Sequence, residues 1–221
     1  MKRLLMVLLL LVAIVFSFHN SLAERYSELS IDDLLDLRLT INEEIASRLQ
    51  PEEAPEGSSF ADLFSDPLLA KYIRDQLGAF STKDEVTQEQ LDTITDVHFL
   101  SHTDGLKSLE GIQYLHGIKE LSLYYQEDLH EIPDAIGTLL DLKRLSLDRC
   151  GIDALPDSIA NLTNLEYLSL KETNVSSLPE DIGNLAKLKT LNISGTKISQ
   201  LPSSIYNLEL EKFLREGIDI D

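Results

Sequence analysis

Five histidines and one cysteine are the side chains in this 221-residue sequence best suited to metal or nucleophilic chemistry. His98 and His102 stand four apart, the spacing that lets two imidazoles on one helix face share a zinc ion. The residues around them read as a strand end running into a loop, and no glutamate or third ligand accompanies them, so a zinc pair is not expected. His19 falls in an apolar leader and leaves with it. Cys150, the lone cysteine, excludes an internal disulfide framework. A lone thiol is either reactive or a buried structural group, and its place in a repeat, given below, favours the second. No Gly-rich phosphate loop and no GxSxG element occurs. Catalytic, cofactor-binding and metal-binding residues are therefore not expected, and the chain is read as not an enzyme. Three glycosylation sequons, at Asn161, Asn174 and Asn192, are read as accidental, two of them because they coincide with repeat positions.

Charge narrows the partners. The formal net charge is −19, with 19 basic against 38 acidic side chains. Such a chain is repelled by a phosphate backbone, so nucleic acid is not an expected partner; a protein with a basic surface would be steered towards it.

Several elements precede the part that could bind. Lys2 and Arg3, the apolar run Leu4–Phe18 and the small residues before Glu24 read as a signal peptide over residues 1–23. The run is shorter than the roughly 18–20 residues that span a bilayer comfortably, so no membrane association is expected after cleavage. The expected location is secreted, extracellular or at the cell surface. Residues 24–50 read as a separate amphipathic helix: Ser30 is its candidate N-cap and Leu34, Arg38, Ile41, Ile45 and Leu49 line one face. That face, within residues 30–49, is either packed on a neighbouring domain, used to form a homo-oligomer, or a docking helix for another protein. Pro51–Ser59 has a linker composition. Residues 60–93 read as a helical cap, with Asp66-Pro67 opening one helix, Gly78 closing it, and Thr87-Gln88-Glu89-Gln90 starting a short second one.

From Ile94 onward the sequence repeats. The LxxLxL units are Ile94/Val97/Phe99, Ile118/Leu121/Leu123, Leu142/Leu145/Leu147, Leu165/Leu168/Leu170 and Leu188/Leu191/Ile193. Later units continue through Ile132-Pro133, Leu155-Pro156, Leu178-Pro179 and Leu201-Pro202 to closing pairs such as Asn161-Leu162 and Asn184-Leu185. The two central leucines are two apart, so both point to one side of a short strand. One unit cannot bury that side alone, and stacking turns the leucines into a continuous column. The fold class expected is an α/β solenoid: a short leucine-rich-repeat horseshoe of about five units over residues 94–207, with a parallel concave sheet. A degenerate last unit through Phe213 and Leu214, within a C-terminal cap at residues 208–221, closes the chain. Gln126, Cys150, Thr173 and Thr196 share one repeat position and are expected to point inward where the strand turns away.

The side chains between the strand leucines face outward in three columns. These are Glu120, Arg144, Tyr167 and Thr190; His98, Ser122, Ser146, Ser169 and Asn192; and Tyr124, Asp148, Lys171 and Ser194. Strands about 4.8 Å apart bring column neighbours into contact. Tyr124, Arg144 and Tyr167 are the expected anchors for a protein partner, and Glu120, Asp148 and Lys171 the groups setting charge complementarity, with Tyr125, Arg149 and Glu172 flanking them. The alternative is a solvated polar face whose charges satisfy one another.

The stretch Phe64-Ser65-Asp66-Pro67-Leu68-Leu69-Ala70, followed by Val86–Thr95 and by Lys107–Leu115, resembles the helical cap and first repeat of bacterial internalin-type proteins, over residues 60–123. The later LPxxIxNL units resemble the 23-residue repeat class of plants and bacteria. The resemblance implies a bacterial, secreted or surface-bound protein that binds a protein through its concave face.

Overall fold

The computed structural model describes residues 52–100 and 105–218. The expected leader and the helix at 24–50 lie outside the described residues, as does His102.

Three helices open the described chain. Helix α1, Phe60–Leu63, begins at Ser59, whose amide and hydroxyl both bond the Asp62 carboxylate. Helix α2, Pro67–Gln76, starts as the Asp-Pro pair predicts: the Asp66 carboxylate accepts the Leu68 amide at 2.8 Å, and Gly78, at φ +68°, follows its end. Helix α3, Gln88–Leu91, carries the Thr87/Gln90 capping box. Asp66 also accepts the Lys107 and Ser108 amides at 2.7 and 3.1 Å, so a single capping carboxylate pins the cap to the first repeat. Gly111 completes that joint. It sits at φ +97°, and a Cβ there would stand 2.2 Å from the Leu63 carbonyl oxygen.

The stretch expected as a linker is seated on this cap from Glu52 onward. The Ala54 amide bonds Gln88 Oε1 at 3.0 Å, the Val86 amide bonds the Ser58 carbonyl, and Ser59 bridges Glu85. Glu52 is held by the Tyr114 hydroxyl at 3.3 Å, with His116 Nε2 3.1 Å from its carbonyl.

Six parallel strands then stack in chain order: β1 Asp96–Phe99, β2 Glu120–Leu123, β3 Arg144–Ser146, β4 Tyr167–Ser169, β5 Thr190–Asn192 and β6 Lys212–Leu214. The sixth strand is the degenerate last unit. Val97, Leu121, Leu145, Leu168, Leu191 and Phe213 stand in register; the first five are fully buried and Phe213 is half-buried. Full burial of each such leucine contributes roughly 1.5–3 kcal/mol.

The return segments are 3-10 turns rather than α-helices. Each LP unit makes the same bond, an isoleucine amide to the proline carbonyl: Ile136 to Pro133, Ile159 to Pro156, Ile182 to Pro179 and Ile205 to Pro202, all at 3.0–3.1 Å. Proline's fixed φ presets the turn, and no ladder N–H is needed on this side. A 3-10 return is narrower than an α-helical one, so successive register partners lie only 22–24 residues apart.

Candidate concave interface

The first two expected columns stand in register across the strands, and Ser169, Asn192 and Ser194, expected to face outward, are buried. Glu120, Arg144, Tyr167, Thr190 and Lys212 are register partners across β2 to β6. Within that column Arg144 Nε is 3.7 Å from Glu120 Oε1, and the Arg144 guanidinium lies 4.3 Å from the centroid of the Tyr167 ring. The Arg144 side chain remains 52% exposed, so its charge is available to a partner. The neighbouring column is a floor of short side chains: Ser122, Ser146, Ser169 and Asn192.

The third column divides. Tyr124 packs edge-on against Tyr125, centroids 4.3 Å apart. Asp148, expected to offer its charge outward, is half-buried and tied into the sheet. One of its oxygens accepts the Ser169 hydroxyl and, at 3.1 Å, the Lys171 amide. Burial pushes its pKa up from the ordinary carboxylate value, with the Ser169 hydrogen bond opposing. The Lys171 ammonium makes its close contact with Glu172, at 3.6 Å.

Tyr125, Arg149 and Glu172, expected as flanking residues, form a second cluster. All three hold left-handed backbone, φ 59°, 59° and 56°, and Gly195 at the same repeat position has φ 69°. A non-glycine residue in this region costs on the order of 1–2 kcal/mol. The return is a bond that repeats from unit to unit: the Tyr125, Arg149, Glu172 and Gly195 amides donate to the carbonyls of Asp148, Lys171, Ser194 and Glu216. The parallel ladder thereby continues past the strand ends. The side chains stack in the same order. Arg149 lies 4.6 Å from the Tyr125 ring centroid and grips Glu172 through both Nε, at 2.6 Å, and Nη2, at 3.1 Å. That pairing raises the Arg149 pKa and lowers that of Glu172. Beside it opens a polar cleft lined by Glu127, His130, Gly151 and Asn174. Gly195 was the available signal: a glycine aligned with three large residues marks a position needing positive φ.

The inward position behind this column behaves as its residue types require. The Thr173 and Thr196 hydroxyls donate to the Leu170 and Ile193 carbonyls at 2.8 Å, and buried Gln126 accepts the Leu106 amide. The Cys150 thiol faces the Leu123 carbonyl at 3.7 Å, and burial pushes its pKa up to about 12. At neutral pH it is a thiol, not a thiolate nucleophile.

Two family models match the chain. The model for a bacterial adhesion/invasion protein N terminal covers residues 50–92, taking in the seated segment and the cap. The model for a leucine-rich repeat region covers residues 157–216, taking in β4 to β6. Among solved structures, the chain is similar to a leucine-rich-repeat protein of Leptospira interrogans, with 25% identity, 60% of this chain and 39% of that one covered, and a TM-score of 0.46. It is similar to an internalin of Listeria monocytogenes, with 24% identity, 78% and 61% covered, and a TM-score of 0.40. Internalin C2 of the same organism gives 26% identity, 76% and 92% covered, and a TM-score of 0.36. The chain thus spans well under two thirds of the first of these proteins and about three fifths of the second.

Proposed function

We propose that this internalin-like leucine-rich-repeat protein acts outside the cell as a non-enzymatic recognition module, binding another protein through the concave face of its sheet. The observation that carries the reading is the Glu120–Arg144–Tyr167 row. Three side chains of different chemistry meet across adjacent strands, and Arg144 is stacked on an aromatic ring while its charge stays half-exposed. Arginine and tyrosine are enriched at the energetic centres of protein interfaces, where a preformed side-chain geometry reduces the ordering cost of association. The short, partly exposed Ser122 and Ser146 beside the row leave a partner room to approach it. The net charge of −19 favours a partner with a basic surface. Tyr124 and Lys171 extend the contact along the far ridge, while Asp148 shapes the wall.

The test is capture of proteins on the immobilised full chain, compared with the triple variant Arg144→Glu, Tyr124→Ala, Tyr167→Ala. A true partner is held by the wild type and lost, by at least about a hundredfold in Kd, from the variant, whose circular dichroism and melting remain close to wild type. Equal affinity for both chains overturns the concave-face reading.

A further inference from the structure

The repeat shortens by one residue in mid-sheet, and the polar cleft opens at that step. Leu121 pairs with Leu145, 24 residues on, and Leu145 with Leu168, 23 residues on. The extra residue lies in the loop after β2. Seven positions lead from Tyr125 to Ile132 of the first Ile-Pro pair, but six lead from Arg149 to Leu155 and from Glu172 to Leu178. The longer loop packs down on Gly151, where a Cβ would stand 2.0 Å from the Glu127 carbonyl oxygen and 3.2 Å from His130 Nδ1. That loop, the Tyr125–Arg149–Glu172 column and Asn174 wall a cleft of about 550 Å³, within the size range of ligand sites.

Some of the polar groups here are already satisfied. Glu172 holds the Arg149 guanidinium through two nitrogens. Lys171, 3.6 Å from Glu172, also attracts Asp148, so these four charges balance. Others are not satisfied. Among the described residues, neither the exposed Glu127 carboxylate nor the half-buried Asn174 carboxamide makes a hydrogen bond or an ion pair. His130 Nδ1 lies 3.2 Å from the Gly151 carbonyl oxygen. A carbonyl only accepts, so Nδ1 carries the proton and Nε2 of the neutral ring keeps its lone pair. The unsatisfied set is therefore rich in acceptors and carries one uncompensated negative charge, on Glu127. Asp128, Glu131 and Asp153, neighbours in the chain and all exposed, deepen the negative potential around it. A carboxylate or phosphate is repelled by such a set, whereas a cation with several donors is attracted.

We propose that this cleft is a binding site for an arginine side chain of a protein partner. A guanidinium presents five N–H donors in a planar fork and a charge that Glu127 neutralises, leaving donors for His130 Nε2 and Asn174 Oδ1. One wall is preformed. The left-handed backbone of Arg149 and Glu172, locked by the amide bonds to Lys171 and Ser194, holds their ion pair in place, so binding orders little that is not already ordered. The site deepens the recognition reading, resting on it for the partner's being a protein, and lies past the strand ends rather than in the Glu120–Arg144–Tyr167 row.

The probe is N-acetyl-arginine amide, titrated into the 15N-labelled full chain and followed by amide chemical shifts, with the neutral isostere N-acetyl-citrulline amide as comparison. The arginine probe is expected to shift the Glu127, His130, Gly151 and Asn174 amides saturably, with a Kd on the order of 1–10 mM for so small a ligand. Citrulline is expected to bind at least about fivefold more weakly, as is arginine to Glu127→Gln and to Asn174→Ala. Absence of shifts at those amides up to about 50 mM, several times the expected Kd, overturns the proposal. So do shifts spread over exposed acids without saturation, which mean diffuse attraction to the chain's net charge. Equal binding of the two probes, or of arginine to wild type and both variants, overturns it as well. Circular dichroism of each variant distinguishes a lost site from a lost fold. The concave-face reading is decided separately, by the triple variant's affinity for captured protein.

Discussion

Asp148 marks where residue-level reading of a strand reaches its limit. Alternation assigns a side chain to a face, and it assigned Asp148 to the concave one. It does not say whether the side chain stands up into solvent or bends onto its neighbours, and here the small Ser169 beside it leaves room for it to bend and supplies a hydroxyl donor. Because burial raises its folded-state pKa, the stability it lends is present below the unfolded value and is lost as pH rises through the folded value. At neutral pH the ionised form is therefore held at a cost. The substitution Asp148→Asn keeps an oxygen for both donors and removes the charge, so it is expected to gain up to about 1 kcal/mol at pH 7, the small size reflecting solvent screening. Near pH 3 it is expected to gain nothing. Urea denaturation at the two pH values checks both halves. The left-handed column was legible in principle, since Gly195 shares its repeat position with Tyr125, Arg149 and Glu172, whose side chains gave no hint of positive φ.

At the scale of elements, the strands and their register were readable because leucines two apart can be buried together only one way. The columns Glu120–Arg144–Tyr167 and Ser122–Ser146–Ser169 follow directly. The Asp-Pro and Thr-x-x-Gln starts of α2 and α3 were readable for the same reason: a cap needs one side chain at one spacing. The segment after Pro51 was not. Its prolines, glycine and acids read as flexible, but it is held by the backbone groups of Glu52, Ala54 and Ser58, and composition does not encode what a peptide amide meets. Nor does the leucine pattern show that α2 covers the β1 edge, where the Tyr72 hydroxyl accepts the His98 amide at 3.0 Å, Gln76 Nε2 reaches the Asp96 carbonyl at 3.5 Å, and the Tyr72 ring packs on Phe99. Tyr72→Phe removes the acceptor of the His98 amide while keeping the ring on Phe99. It is expected to cost about 1 kcal/mol, read as a lower urea midpoint with an unchanged slope.

Across the described residues, the covered β1 edge and the only partly buried last turn set a gradient of stability. In a solenoid each unit is supported only by its neighbours, so opening starts where a neighbour is missing. Amide hydrogen exchange is expected to be fastest in β6, slower in β5 and slowest in β2 and β3; equal protection in all six strands would contradict that order. The same nearest-neighbour construction bears on how such a chain can change over generations. From Pro133 to Ile205 every return turn is made by the same amide-to-proline-carbonyl bond, so one unit fits against any other. Duplication or loss of a whole unit leaves both ends intact and alters the reach of the concave face in steps of about 4.8 Å. Loss of part of a unit breaks the leucine phase. The gene is thus free to lengthen or shorten its protein's grasp, but only by whole numbers.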